Sequence, residues 1–292
     1  MLSPLPKPHH LSPFKKWWRL PEVRRMTIAV GIVANDGIVV AADTEETSGY
    51  LKTEQTKILT VLCSPPVNDK NVRQLSGSCL ISGAGNSDHL DALKDELALV
   101  FLQNPTASSP LEIKSAFGKC LKSFYRDHII PFAAFPIEDR PDVSMLMAVN
   151  RNHQSMLLFT NRSVVGHAML YKAVGIGSIF AKILLDRLWN RATVEEIQVL
   201  AAYVVFMVKE SVEGCGKLTQ VITLNGSRIA EGGEKKGTLL VAADQPTTQM
   251  SAQKISELED RFRTEWRRAE RNTIWSLIKQ SVSQTSDSET AA

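Results

Sequence analysis

Cysteine is scarce in this chain and scattered. Cys63, Cys79, Cys120 and Cys215 share no CxxC or Cys/His spacing, which argues against a structural zinc and a disulfide framework and suits a reducing compartment. His9, His10, His89, His128, His153 and His167 show no metal spacing either, so no metal and no cofactor is expected. Long apolar runs are also missing. Runs such as Ile38 to Ala42 and Val199 to Val208 are too short to cross a bilayer. A basic face is the third absence. The net charge of +3 comes from the first 25 residues, where six Lys and Arg face a single Glu, leaving 28 basic and 30 acidic residues elsewhere. A near-neutral body gives no footprint for nucleic acid.

What is present is an ordinary globular composition over 292 residues, enough for one large domain or two small ones. Residues 1–26 form a basic leader with five prolines and no hydrophobic period, expected to be extended or disordered. It lacks the apolar core of a secretory signal. A transit peptide and a cleaved propeptide are alternatives. The reading adopted is that Met26 is the true initiator, in a Met-Thr context that favours methionine removal.

From Thr27 the pattern becomes regular. Thr27 to Val33 and Gly37 to Ala42 are β-rich runs around Asn35-Asp36-Gly37; Asp-Gly offers the positive φ of a tight hairpin, so the runs are expected to pair antiparallel. Ile38 to Ala42 is apolar without alternation, the mark of a strand buried on both faces. Asp43 to Tyr50 reads as a polar turn, with a further strand within Leu51 to Val61. Cys79 to Ser82 is a strand ending in Gly83-Ala84-Gly85. Helices follow, one capped at Asn86 or Ser87 and a second over Pro110 to Asp127. Strands at Val143 to Val149 and Ser155 to Phe159, a strand end at Ala173 to Gly177, a helix capped by Ser178 and a Thr193/Glu196 capping box come next. Asn225-Gly226 predicts a hairpin between Thr219 to Leu224 and Arg228 to Ala230, with an edge strand at Leu239 to Ala242. A charged helix spans 252–280, and 281–292 is a Ser/Thr-rich tail.

Strands arriving in hairpins between pairs of helices predict an α+β fold, a four-layer α-β-β-α sandwich of two antiparallel sheets. The folded domain is expected over 27–245, with 252–280 as a helical extension and 281–292 disordered. One stretch, Thr27 to Lys57, gathers a hydroxyl, a carboxylate (Asp43) and an ammonium within reach of one strand end.

TIAVGIVANDGIVVAADTEETSG, with SGAG at 82–85 and AVGIGS at 173–178, resembles the proteasome β-subunit family of N-terminal-nucleophile hydrolases, which includes the bacterial HslV-type protease. The likeness spans about residues 27–235. It implies that Thr27 is the nucleophile of a threonine-type peptidase, with Asp43 and Lys57 as its supports and Ser178 and Glu210 (Glu213 as second choice) completing the catalytic set. It implies further that Gly83 N–H holds the oxyanion and that the Thr47 backbone pairs with an extended substrate. A Thr hydroxyl needs a base. If Thr27 is the mature N-terminus its own amine serves, since an α-amine titrates near ~7.7–8.0 and is therefore roughly a quarter to two-fifths neutral at pH ~7.5.

The resemblance implies rings of like subunits, a peptide or unfolded-protein substrate, an ATP-dependent unfoldase as partner, and a cytoplasmic setting. The chain departs from the family in three places: the Asp43 to Lys57 spacing is two residues short, Glu45 stands where many members have Arg, and Glu replaces the usual Asp after the fourth helix. Competing readings are an inactive proteasome-like structural subunit and an N-terminal-nucleophile amidase acting on a small amide.

Overall fold

The computed structural model describes residues 27–48, 51–63, 77–136, 140–152, 154–226 and 246–266, together with 268–269, 272–273 and 276. The leader, the tail and the segment 227–245 lie outside the described residues, and with them the expected strands at Arg228 to Ala230 and Leu239 to Ala242.

Two antiparallel sheets form the centre. In the first, β1 (Ile28–Ala34) lies between β10 (Tyr171–Gly175) and β2 (Gly37–Asp43), followed by β11 (Thr219–Asn225) and β12 (Thr247–Gln249). In the second the order is β5 (Leu59–Cys63), β6 (Gly77–Gly85), β7 (Val143–Arg151), β8 (Gln154–Asn161) and β9 (Val164–Ala168). A small separate hairpin joins β3 (Glu45–Ser48) to β4 (Leu51–Glu54).

Every residue of β2 is buried. Val39 and Ala41 face helices α3 (Ser178–Leu188) and α4 (Val194–Ser211). Ile38, Val40 and Ala42 face the other sheet, against Leu80, Leu146 and Leu157. Both faces are apolar, so the strand carries no alternation, and each Val or Ile side chain contributes ~1.5–3 kcal/mol on burial. The second sheet packs its outer face on α1 (Ser87–Gln103) and α2 (Pro110–Phe124) through Leu93, Phe101, Phe117 and Phe124. The result is the four-layer α-β-β-α sandwich. Among the described residues no helix is long and apolar enough to cross a membrane.

Several local expectations change. The β1–β2 turn, with Ala34 opposite Gly37, does not use positive φ. Gly37 is needed there because a Cβ would lie 2.5 Å from Leu224 O and 2.8 Å from Val194 Cγ2. Asp36 holds the turn instead, its Oδ1 accepting from Val194 N at 2.8 Å and its carbonyl from Gly226 N at 2.8 Å. The polar run after Asp43 is the β3–β4 hairpin rather than a turn alone. Ser178 is the first residue of α3; Gly177 is the N-cap and makes no side-chain bond. The Thr193/Glu196 capping box is present on α4. Asn225 ends β11 opposite Gly37 of β2, and its N–H donates to the Pro246 carbonyl at 3.0 Å; the return strand of the expected Asn225-Gly226 hairpin lies outside the described residues.

The charged extension folds back on its own chain. α5 (Ala252–Arg261) is capped by Ser251 and continues as a wider turn through Phe262–Trp266. Phe262 is fully buried against Tyr203 and Phe206 of α4, and Trp266 stacks on Tyr203 with ring centroids 4.9 Å apart.

Candidate active site

Thr27 immediately precedes β1, in the middle of a sheet, so the strand fixes its place and its neighbours bury it. Asp43 ends β2 and lies one step beyond the last β1–β2 pair, Ala29 with Ala42. The Thr27 hydroxyl therefore donates to Asp43 Oδ1 at 2.5 Å. The same oxygen accepts from Ile28 N at 3.1 Å and Lys57 Nζ at 2.9 Å, while Oδ2 accepts from Gly216 N at 3.0 Å. Asp43 is fully buried, and a buried carboxylate is tolerable only with such a set of donors.

Lys57 is itself buried. An ammonium has three protons to place, and the acceptors are Thr27 Oγ1, Asp43 Oδ1 and the Glu45 carbonyl. Strand alternation does not aim this side chain. β4 ends at Glu54 and β5 starts at Leu59, so Lys57 lies in the irregular segment between them. Its position comes from two cross-links: Lys57 N donates to Gln220 Oε1 at 2.8 Å, and Gln55 N to Thr44 O at 2.9 Å. This compensates for the short Asp43 to Lys57 spacing.

A cleft of about 370 Å³, open to solvent, adjoins this cluster; its walls include Thr27, Glu45, Lys57, Gly83, Leu90 and Lys94. The orientation of Gly83 follows from the ladder. β5 stops opposite Ile81, so among the described residues β6 has no strand neighbour beyond that point on the β5 side. Met145, opposite Gly83 on β7, sends its N–H the other way, to Thr160 Oγ1 at 2.8 Å. The Gly83–Met145 pair is thus non-hydrogen-bonded, and the Gly83 N–H points out of the ladder on the cleft side. A Cβ here would sit 2.6 Å from Ser144 O and 2.7 Å from Leu90 Cδ1, so glycine keeps the strand in place.

The remaining candidates separate. Thr47 lies in β3, in register with Lys52. Ser178 is half-buried at the start of α3, and among the described residues no hydrogen bond links its hydroxyl to Thr27. The turn before it does touch the site: Gly175, opposite Ile28, has φ +100°, and a Cβ there would fall 2.1 Å from Thr27 O. Glu210 is not gathered into the cluster; it faces Arg263 at 3.6 Å, beside α5. Glu213 is exposed, and with Glu45 it acts on Lys52. Glu45, first by its hydrogen bond and then by its charge, raises the Lys52 ammonium above its ordinary value. Sequence reasoning missed Gly216 and Gln220. The Gly214-Cys215-Gly216 run was a visible signal for the first, since a backbone N–H can approach a carboxylate closely where no side chain intervenes. Cys215, between those glycines, has its thiol pushed up to about 12 by burial and next by the Asp43 charge.

No family model and no curated protein matches the chain. Solved structures do. An Anbu (Gly-1) mutant from Hyphomicrobium sp. strain MC1 is 15% identical with a TM-score of 0.61, covering 83% of this chain and 96% of its own. Anbu (ancestral beta-subunit) from Yersinia bercovieri is 12% identical, TM-score 0.60, covering 87% and 97%. The helical assembly of the Anbu complex from Pseudomonas aeruginosa is 14% identical, TM-score 0.59, covering 86% and 96%. The fold is proteasome-like. These matches correct the expected kinship with the HslV-type branch, because the structures they return are Anbu proteins. At 12–15% identity the likeness carries the architecture and no activity.

Proposed function

We propose that this chain is a threonine-type hydrolase of peptide bonds, with Thr27 as nucleophile. The observation that carries the reading is the buried Thr27 hydroxyl, held between Asp43 Oδ1 and the Lys57 ammonium at the edge of an open cleft. Asp43 and Lys57 orient the oxygen and set its electrostatics. Carboxylates ordinarily titrate near ~3.9 and α-amines near ~7.7–8.0, so the amine of a freed Thr27 is the better matched base near neutrality. Gly83 N–H, directed to the cleft, is suited to an oxyanion, and β3 with the open edge of β6 to an extended peptide. Ser178 and Glu210 take no direct part in this reading.

The chemistry requires cleavage before Thr27, since a peptide bond to Met26 removes the base. Like subunits are expected to associate: the Pseudomonas aeruginosa relative is described as a helical assembly, and Ile176, Ile179 and Ile183 present exposed apolar side chains at the start of α3. A head-to-tail contact of this kind closes into a ring or winds into a helix according to its rotation.

N-terminal sequencing and intact mass of the purified protein should find Thr27 first. A fluorogenic peptide should then be cleaved, and Thr27→Ala should abolish cleavage. A retained residue before Thr27, or unchanged turnover by the alanine variant, overturns the proposal. Turnover of small amides in preference to peptides would assign the same site to an amidase, and a processed but inert protein would assign the chain a structural role.

A further inference from the structure

The C-terminal extension reaches back toward Asp43. The connection runs through one loop. Residues 212–218 leave α4 and enter β11, with Gly214 at φ +86° and Lys217 at φ +60°. Gly216 N donates to Asp43 Oδ2 at 3.0 Å. Leu218 is tied to Thr44 in both directions: its N–H donates to Thr44 Oγ1, and its carbonyl accepts from Thr44 N, each at 2.9 Å. The Lys217 carbonyl accepts from Lys209 Nζ at 3.0 Å. A Cβ on Gly216 would fall 2.4 Å from Glu45 Oε2, so the loop has little room on that side.

Lys209 is held in turn by Glu259. Its ammonium donates to Glu259 Oε1 at 2.6 Å, with only 9% of the lysine side chain and 18% of the glutamate side chain exposed. The same Oε1 accepts from Thr219 Oγ1 at 2.6 Å, and Thr219 is the residue of β11 in register with Asp43. Thus one carboxylate on α5 fixes both the ammonium that pins Lys217 and the hydroxyl beside the Asp43 register position. Phe262, buried on α4 one turn further along, holds the helix at that depth.

We infer that Glu259 is a positioning residue for the Thr27 site, acting through Lys209 and Thr219 on the loop whose Gly216 N–H orients Asp43. The inference rests on the proposed role of Thr27, but its physical content, the coupling of α5 to the loop, does not need turnover to be seen. Removing Glu259 leaves Lys209 buried with a carbonyl as its remaining partner. A buried ammonium without a counter-charge moves toward water, and the Lys217 carbonyl loses its donor. Asp43 then keeps Lys57 and Ile28 N but loses the fixed orientation of Oδ2.

The test uses the full chain and three variants: Glu259→Ala, Glu259→Gln, and the paired Lys209→Met with Glu259→Leu. Hydrogen exchange is followed in peptides across residues 212–219, with β2 residues 38–42 as the internal control. Peptide turnover is followed in parallel. In Glu259→Ala, exchange across the loop should accelerate about tenfold while β2 is unchanged, and kcat should fall about tenfold with KM within about twofold, as expected for a misplaced catalytic group. Glu259→Gln, which still accepts from Thr219, should lie between wild type and alanine. The apolar pair should recover thermal stability, because two buried charges are replaced together, yet exchange should stay fast and kcat low. If kcat and loop exchange recover with stability in the apolar pair, Glu259 is only structural and the inference falls. It also falls if loop exchange is unchanged in Glu259→Ala, or rises equally in β2. A wild-type protein that cleaves nothing counts against the peptidase reading alone; local acceleration of the loop would still support the coupling.

Discussion

Asp43 accepts from a hydroxyl, an ammonium and two backbone N–H groups, and its loss would strand Lys57 in a buried position. Asp43→Ala should therefore destabilise the fold by about 3–5 kcal/mol, the range for breaking a buried ion pair, read as a lower urea midpoint. Asp43→Asn should cost less stability but still depress turnover. Cys215 gives a separate residue-scale expectation. A raised pKa means less thiolate at any given pH. At pH 9 roughly three-quarters of an ordinary thiol at ~8.5 is ionised, whereas a thiol near 12 is ionised to only about 0.1% by the same equilibrium. Iodoacetamide at pH 9 should thus spare Cys215 in the folded protein and label it after denaturation, as read by peptide mass mapping.

The elements divide by how much of their environment their own residues encode. β2 was legible because both of its faces are apolar, and α4 because its capping box and long apolar run agree. β3 and β4 were not, because EETS and LKTE alternate nothing a core would select. β9, five residues with a mixed burial pattern, was also missed. At the site, Thr27, Asp43 and Lys57 could be read from strand ends and resemblance, whereas the setting of Lys57 by Gln220 depends on a residue 163 positions away in sequence. The position of Glu210 was hard to read for a related reason. The end of a helix can be read locally, but which of its acids turns inward depends on the element packed against it, here α5. That packing makes its own prediction. Phe262→Ala should cost about 3–5 kcal/mol, as truncation of a buried aromatic does, and should lower the melting temperature. The exposed Leu99→Ala on α1 should change it little.

At the scale of the molecule, the two sheets meet closely because β1 is thin where they touch. A Cβ on Gly31 would lie 2.6 Å from Leu157 Cδ1 and 3.0 Å from Leu146 Cδ2. Gly31→Ala should push the sheets apart or force those leucines off rotamer, at about 1–3 kcal/mol, measurable by chemical denaturation. Association belongs to this scale as well. If α3 carries a contact between like subunits, Ile179→Lys with Ile183→Lys should shift sedimentation toward the monomer without changing the circular dichroism spectrum. Equal sedimentation would remove α3 from the contact.

The placement of Thr27 at the start of a central strand also sets an order of events during synthesis. Thr27 is the first of the site residues to be made, yet Gly175, which its carbonyl abuts, and Gly216, which orients Asp43, follow 148 and 189 residues later. At translation rates of ~5–20 residues per second the second interval is about 10–40 s. An exposed threonine on the nascent chain therefore has no site around it. The hydroxyl gains its setting only when nearly the whole domain exists, so the topology delays the chemistry until folding is almost complete.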